Sequence, residues 1–434
     1  MLKLSPANLL NYREKSMMKH LSRPPALVVV AVALALSSAS WAISLEQALQ
    51  ATLANNPSLA GKQAEFEAAQ GNLSSAKASR LPSLSVAMNN VDNKDNNTQG
   101  TVVLRQPVWA FGKISQRIEQ AKANASVEEL GVNQVRRELL SRTAVAFARI
   151  EGIAARRKIA ADNVAEHERL YEQIQRRQAG QLASDADVRL AYSRLLQARA
   201  TQQRLNGEYR IALSELERLT LIPISRIEPV NDQFLQIPKP GDLWQLALIN
   251  SVSLAQKQAS LEAADIAIRQ AKSAPMPTLF LQAEHDFYES KNDFADLNED
   301  RAGLVLEASL DGAGFTTLGQ VRAAVARRSA AEQDIDVTRN ELRHEVEQLK
   351  SNFQLQQDLV TALAGTVEAL QGTAESFLRQ YETGRKSWLD LLNTQRELQQ
   401  QQLEYERAIN ERLLVALQIN ALIGALDLIA EDQG

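Results

Sequence analysis

Apolar and polar positions keep a helical spacing over two stretches that are far too long for a globular domain. One runs from about Lys113 to the glycine at Gly180, and the other from about Gly319 to Gly384. Each holds roughly 65–68 residues and, at 1.5 Å per residue, predicts a helix on the order of 100 Å long. Proline supports this reading, because none occurs between Pro107 and Pro223 or after Pro277. A proline inside a helix costs about 3 kcal/mol, so its absence from tracts rich in Ala, Leu, Gln, Glu and Arg favours unbroken helices. Shorter helical segments are predicted over 187–219, 243–273, 388–425 and 45–79. By length, 187–219 with 243–273, and 388–425 with 45–79, would each stack end to end into a column matching one long helix. The result is four columns per chain, two continuous and two spliced.

The period changes where strands are expected. SLSVAMNN after Pro82 and TVVLRQPVW before Ala110 flank the polar DNKDNNTQG, and TLFLQAEHDFY and AGLVLEASL flank ESKNDFADLNEDR. Each pair reads as a β-hairpin with strands of about ten residues. Four strands are too few to close a barrel and too exposed at their edges to stand alone. Sharing a barrel among identical chains removes both problems.

The chain is also duplicated. ANNPSLAGKQAEFEAAQ (54–70) aligns with INSVSLAQKQASLEAAD (249–265), LRQPVWAFG (104–112) with LEASLDGAG (306–314), and the turn at Gly180 with that at Gly384. An order kept at three places marks a repeated unit of about 200 residues. The predicted division is 43–222 for the first helix–hairpin–helix repeat, 223–242 for a proline-rich linker and 243–434 for the second. Residues 1–42 read as an export signal: Lys19, His20 and Arg23, then the apolar ALVVVAVALAL, then Ser40-Trp41-Ala42 with cleavage expected after Ala42. Met17-Met18 makes residues 1–16 a candidate upstream extension.

Composition narrows the function. Aromatics are 5% of 434 residues, the net charge is −4 with both signs interspersed, and cysteine is absent. These values disfavour a compact aromatic core and nucleic-acid binding, and they exclude disulfides, thiolate chemistry and lipid attachment through cysteine. His20, His167, His285 and His344 are isolated from one another, and no HExxH, GxSxG or phosphate-binding glycine loop occurs, so neither an enzyme nor a cofactor is expected. Gly384, in YETGRKSWLDLL, can take positive φ between two helices, and Ser387 suits the N-cap of the returning helix.

The duplicated helix–hairpin–helix units, PVWAFGK (107–113) and the two glycine turns resemble the TolC family of outer-membrane channel proteins over essentially the whole chain after residue 42. The resemblance implies an α+β membrane protein: a homotrimer with a 12-stranded barrel, four strands from each chain, continuing into a long antiparallel α-helical tunnel across the periplasm. It implies a periplasmic adaptor docking on the turns (Gly180, Gln181, Ser184, Gly384, Arg385, Ser387) and an inner-membrane ABC or other pump beyond the adaptor. Asp390 would line a periplasmic constriction, with Asn393 where the family often has a second Asp. Tyr381 and Lys386 would form a latch to Asp187, with Asp185 as the rival acceptor. Trp109, Phe111 and Phe315 would form the inner aromatic girdle in the outer-membrane lipid, and Phe287 and Tyr288 the outer one. The favoured cargo is protein secreted by the type I route, such as an adhesin, because a compact chain without a lipid anchor resembles that branch; small-molecule efflux is the alternative, and a pore-free exported coiled-coil scaffold would lack the hairpins.

Overall fold

The computed structural model describes residues 42–91, 97–239, 241–289 and 299–427. The export-signal reading of residues 1–41, and hence the cleavage expected after Ala42, lies outside the described residues, as do the side chain of Tyr288 and most of the two polar hairpin loops.

In chain order the elements are α1 (Leu45–Asn55), α2 (Pro57–Ala78), β1 (Ser83–Val91), β2 (Asn97–Trp109), α3 (Lys113–Ala179), α4 (Asp185–Thr220), α5 (Leu243–Asn250), α6 (Val252–Ser273), β3 (Thr278–Glu289), β4 (Glu299–Glu307), α7 (Phe315–Glu382) and α8 (Trp388–Leu422). The two long helices have 67 and 68 residues. Local chemistry sets the starts of the shorter ones. Ser44 and Gln47 form a capping box at α1, and Asn56 caps α2 with Pro57 in the first helical position.

The columns are spliced differently from the pairing that length suggested. In the half nearer the sheet the lateral order is α2, α3, α6, α7, and in the other half it is α4, α3, α8, α7. Hence α4 continues into α1–α2, and α8 into α5–α6. Side chains explain the first splice: Asn55 and Asn56 donate from Nδ2 to the carbonyls of Thr220 and Leu219, at 3.1 and 3.0 Å. Those carbonyls belong to the last turn of α4, where no intrahelical donor remains. Length alone could not choose between partners of nearly equal size.

The largest core lies at this splice level. Leu49, Leu140, Phe147, Ile150 and Leu216 are fully buried, and linker residue Phe234 closes over them. Each such side chain contributes about 1.5–3 kcal/mol by leaving water. Polar groups in the core are paired. Thr52 and Thr143 hydroxyls lie 3.0 Å apart, and Asn420 Nδ2 donates to the Phe234 carbonyl at 2.9 Å. Ile43 bridges the linker, donating its N–H to Arg226 O and accepting from Glu228 N. Arg137 on α3 holds Asp427 beyond α8 at 2.5 Å and also donates to the Asn250 carbonyl at the end of α5.

The strands form one antiparallel meander in the order β1-β2-β3-β4, with Leu84 opposite Leu104, Leu104 opposite Ala283, and Ala283 opposite Ala302. Within the chain, β1 and β4 each have one unpaired edge.

Helices α3 and α8 approach closely at Gly152. A Cβ placed there would lie 2.1 Å from Asn410 Cγ, while Asn410 Nδ2 donates to the Ala148 carbonyl at 2.6 Å. Gly152→Ala should therefore destabilise the chain by about 1–3 kcal/mol. Adding Asn410→Ala should recover part of that loss, read as non-additive shifts in thermal unfolding of the double mutant.

Candidate functional site

The turns between α3 and α4 and between α7 and α8 share one hydrogen-bond pattern. In the first, Leu182 N donates to Arg177 O at 2.8 Å and Gln181 N to Gln178 O at 2.9 Å; in the second, Arg385 N donates to Gln380 O at 2.8 Å and Gly384 N to Tyr381 O at 3.0 Å. These are paired Schellman closures, and in each one residue is left-handed. That residue is Gly384, at φ +73°, in the second turn and Gln181, at φ +58°, in the first. Gly180, at φ −84°, is the counterpart of Thr383, at φ −88°. The alignment of Gly180 with Gly384 read from sequence is thus one residue out of register.

Corrected, the two turns have equal length. Ser184 then matches Ser387, and Asp187 matches Asp390. Both serines are N-caps, accepting from Asp187 N at 3.2 Å and Asp390 N at 3.1 Å. The sequence signal that could have found this register is the shared Ser-x-x-Asp.

An apolar plug joins the turns. Leu170, Ile174, Ala191, Tyr381, Trp388, Leu391 and Leu392 are buried together. The Tyr381 and Trp388 rings are 5.1 Å apart, and the Arg177 guanidinium stacks 4.6 Å above Tyr381. An aromatic pair contributes about 0.5–1.5 kcal/mol beyond its area, and a cation over a ring about 0.5–1 kcal/mol when exposed. Burial raises the Tyr381 phenol pKa above its ordinary value. The contacts made by Arg177 and Trp388 cross between hairpins about 200 residues apart in sequence, which hid them from sequence reading.

Within one chain the expected latch residues are engaged elsewhere. Lys386 Nζ lies 3.5 Å from Asp390 Oδ2, one helical turn on, and 4.2 Å from the Phe377 ring centroid. Asp187 closes its own capping box, accepting from Ser184 N at 3.1 Å and Ser184 Oγ at 2.7 Å. The rival, Asp185, accepts from Gln178 Nε2 at 3.0 Å. Asp390 is held below the usual carboxylate range, first by its hydrogen bond with the Ser387 side chain and then by the Lys386 ammonium. Asn393, one turn on, is exposed.

The sheet at the other end of the bundle has two unlike faces. Leu84, Val86, Met88, Val102, Leu104, Leu281, Leu304 and Leu306 share one side, most of them well exposed, interrupted by Gln106 and by His285, whose Nδ1 lies 2.6 Å from Asp300 Oδ1. On this side the Phe287 ring lies against Gly100, directly opposite it. The other side carries Ser83, Ser85, Thr101, Arg105, Glu284, Asp286 and Arg301, with Thr101 Oγ1 donating to Asp286 at 2.7 Å and Arg301 bridging Glu284 at 3.0 Å. Trp109, Phe111 and Phe315 stand 60%, 51% and 76% exposed where strands hand over to helices, and the first two pack edge to face at 5.9 Å.

Apolar-out, polar-in alternation on tilted antiparallel strands is the pattern of an outer-membrane β-barrel. Among the described residues no helix is long and apolar enough to cross a membrane. Among them, too, no group of His, Asp or Glu is placed to hold a metal ion. A bundle of such length continuous with such a sheet defines a subunit of an outer-membrane channel. The family model described as outer membrane efflux protein matches residues 48–220 and 243–425, and the chain belongs to that family, whose members are passive channels rather than enzymes. Escherichia coli (strain K12) outer membrane protein TolC is 22% identical over 420 residues, covering 90% of this chain and 84% of that one. A membrane protein of Pseudomonas aeruginosa superposes with TM-score 0.76 at 18% identity, covering 88% of this chain and 91% of that one. VceC, an outer membrane protein of Vibrio cholerae, does so with 0.74 at 17%, covering 88% and 96%.

Because Gln181 occupies a left-handed position that costs a non-glycine residue about 1–2 kcal/mol, Gln181→Gly should stabilise its turn, and Gly384→Ala should destabilise the other by a similar amount. Hydrogen exchange at the amides of Leu182 and Arg385 would register the opposite signs.

Proposed function

We propose that three copies of this chain assemble into a passive conduit across the outer membrane and periplasm, docked through an adaptor onto an inner-membrane pump, and that its principal cargo is protein of the type I secretion kind. The observation that carries the trimer is the sheet: four strands with an apolar and a polar face and two open edges. In lipid every backbone donor and acceptor must be paired, so β4 of one copy joining β1 of the next closes a 12-stranded barrel. The aromatic residues at its inner rim support the same placement.

At the opposite end, Asp390 projects from the first turn of α8, its pKa held below the ordinary carboxylate value by Ser387 and Lys386. Three copies around a threefold axis would make a cation-attracting ring at a constriction, with Asn393 leaving it a single ring of carboxylates. The turns at 180–184 and 384–388 form the adaptor-docking surface. Tyr381, Lys386 and Asp187 act as a latch only between copies, since within one chain they bind other partners. The hairpins oppose a pore-free scaffold. Small-molecule efflux is the second reading, favoured by the family's name and by its agreement with the same conduit.

Deleting the chain should remove one or a few large proteins from the medium and cell surface, with recovery on complementation. An unchanged secreted profile together with raised sensitivity to toxic compounds would replace secretion by efflux. In bilayers, Asp390→Asn should lower cation preference in a salt gradient. Because the Asp390 pKa is depressed, the wild-type preference should be lost at a lower pH than an ordinary aspartate would give; an unchanged reversal potential in the variant would rule the ring out.

A further inference from the structure

The polar side of the sheet holds one group of charges that does not balance. Arg301 on β4 donates to Glu284 on β3 at 3.0 Å, to Asp286 two residues further along β3, and to Glu299 on its own strand at 3.2 Å. Three carboxylates thus share one guanidinium, a surplus of two negative charges per chain. Among the described strand residues the other cation on this side is Arg105, which forms a neutral pair with Glu307 at 3.6 Å and offsets nothing. Strand β1 carries Ser83, Ser85 and Ala87 on this side, so β1 of a neighbouring copy, placed beside β4, would not cancel the surplus.

The group is held rigidly and lies near the end of the sheet remote from the helices. Asp286 is buried, accepting from Thr101 Oγ1 at 2.7 Å through one oxygen and from Arg301 through the other. Glu284 likewise accepts from Arg301 through one oxygen and from Gln282 Nε2 at 2.9 Å through the other. Glu299 stands opposite Asp286 at the start of β4, and it and Arg301 are exposed to the water in front of the sheet.

We propose that this group is a second charge-selective element of the conduit, set near its outer mouth and independent of Asp390 at the other end. The inference rests on the conduit reading, in which the polar side of the sheet lines the lumen. Two surplus charges from each of three copies would place six around one stretch of the barrel wall. They act through their field on ions in transit, concentrating cations and depleting anions, and hold none of them. A unit charge about 10 Å from an ion in water changes its local concentration about twofold, as long as the salt is dilute enough for the screening length to exceed that distance. Strands rather than turns fix these carboxylates, so the element keeps its strength whatever the turns at the far end do.

The test is the reversal potential of channels in planar bilayers under a dilute KCl gradient, on the order of 0.01 to 0.1 M, in the Asp390→Asn background so that the far end contributes no ring. A residual cation preference is expected. Glu299→Gln should lower the potassium-to-chloride permeability ratio about twofold or more, and Glu299→Lys should lower it further, because each step removes one more negative charge per chain. Glu299 is exposed, so both replacements leave the strands paired. Asp300→Asn, one residue along and on the apolar side, should leave the ratio unchanged, and about 1 M salt on both sides should erase the differences, since screening then acts within about 3 Å. Channels whose ratio ignores both Glu299 variants, or responds to Asp300→Asn in their place, would overturn the selective element while the conduit stands. Failure of the parent chain to form channels at all would overturn the conduit reading and this element with it.

Discussion

Backbone hydrogen bonding at the open edges of the four-stranded sheet is the constraint on which the rest of the structure depends. Water can satisfy the outer N–H and C=O groups of β1 and β4, but lipid cannot. One side of the sheet exposes a field of leucine, valine and methionine while the other carries the Arg105–Glu307 and Arg301–Glu284 pairs, a distribution suited to lipid on the apolar side, where edges must be closed by other strands. No single chain supplies them. The helices follow from this, because each strand edge leads directly into a helical column that lies at the same edge of the bundle: α2 and α4 on the β1 side, α7 on the β4 side.

Long helices create a second problem, which the splice level resolves. A column of on the order of 100 Å cannot wrap around a core of its own. Hydrophobic burial is therefore concentrated in two places, around Phe147 where shorter helices abut and around Tyr381 and Trp388 at the turns. Between them the contacts are chiefly alanine and leucine rows with charged flanks. Half-buried Glu151 belongs to the splice level, its carboxylate accepting from Val230 N at 3.1 Å; desolvation raises its pKa, so this group stabilises the fold most at low pH and less as pH rises through that raised pKa.

Helix lengths, hairpins and duplication were legible in the sequence because they rest on period and proline placement, which are local. The long helices were placed within a few residues at their ends, and the strands at 83–109 and 278–307 fall inside the expected bounds. The pairing of spliced columns was not legible: it rests on Asn55 and Asn56 reaching the carbonyls of α4, a contact with no counterpart in spacing. At the candidate site, Ser387 and Gly384 behave as their residue types require. Gln181 misled the register, since a left-handed glutamine is uncommon and the neighbouring glycine looked like the natural pivot. Arg177 and Arg137 gain their meaning only from partners on other elements.

The one-residue difference between the long helices reaches beyond a single chain. The strand-to-helix junctions Gly112 and Gly314 are offset by 202 positions, whereas the left-handed residues Gln181 and Gly384 are offset by 203. One residue advances a helix by 1.5 Å and rotates it by roughly 100°. Three duplicated chains around an axis would present six turns in an approximate hexagon, but this inserted residue, together with the glutamine-for-glycine exchange, makes alternate vertices inequivalent. A ring of identical partner molecules meeting that end would therefore encounter two kinds of vertex in strict alternation, so the symmetry it can match is threefold, with true sixfold docking denied by a single peptide unit.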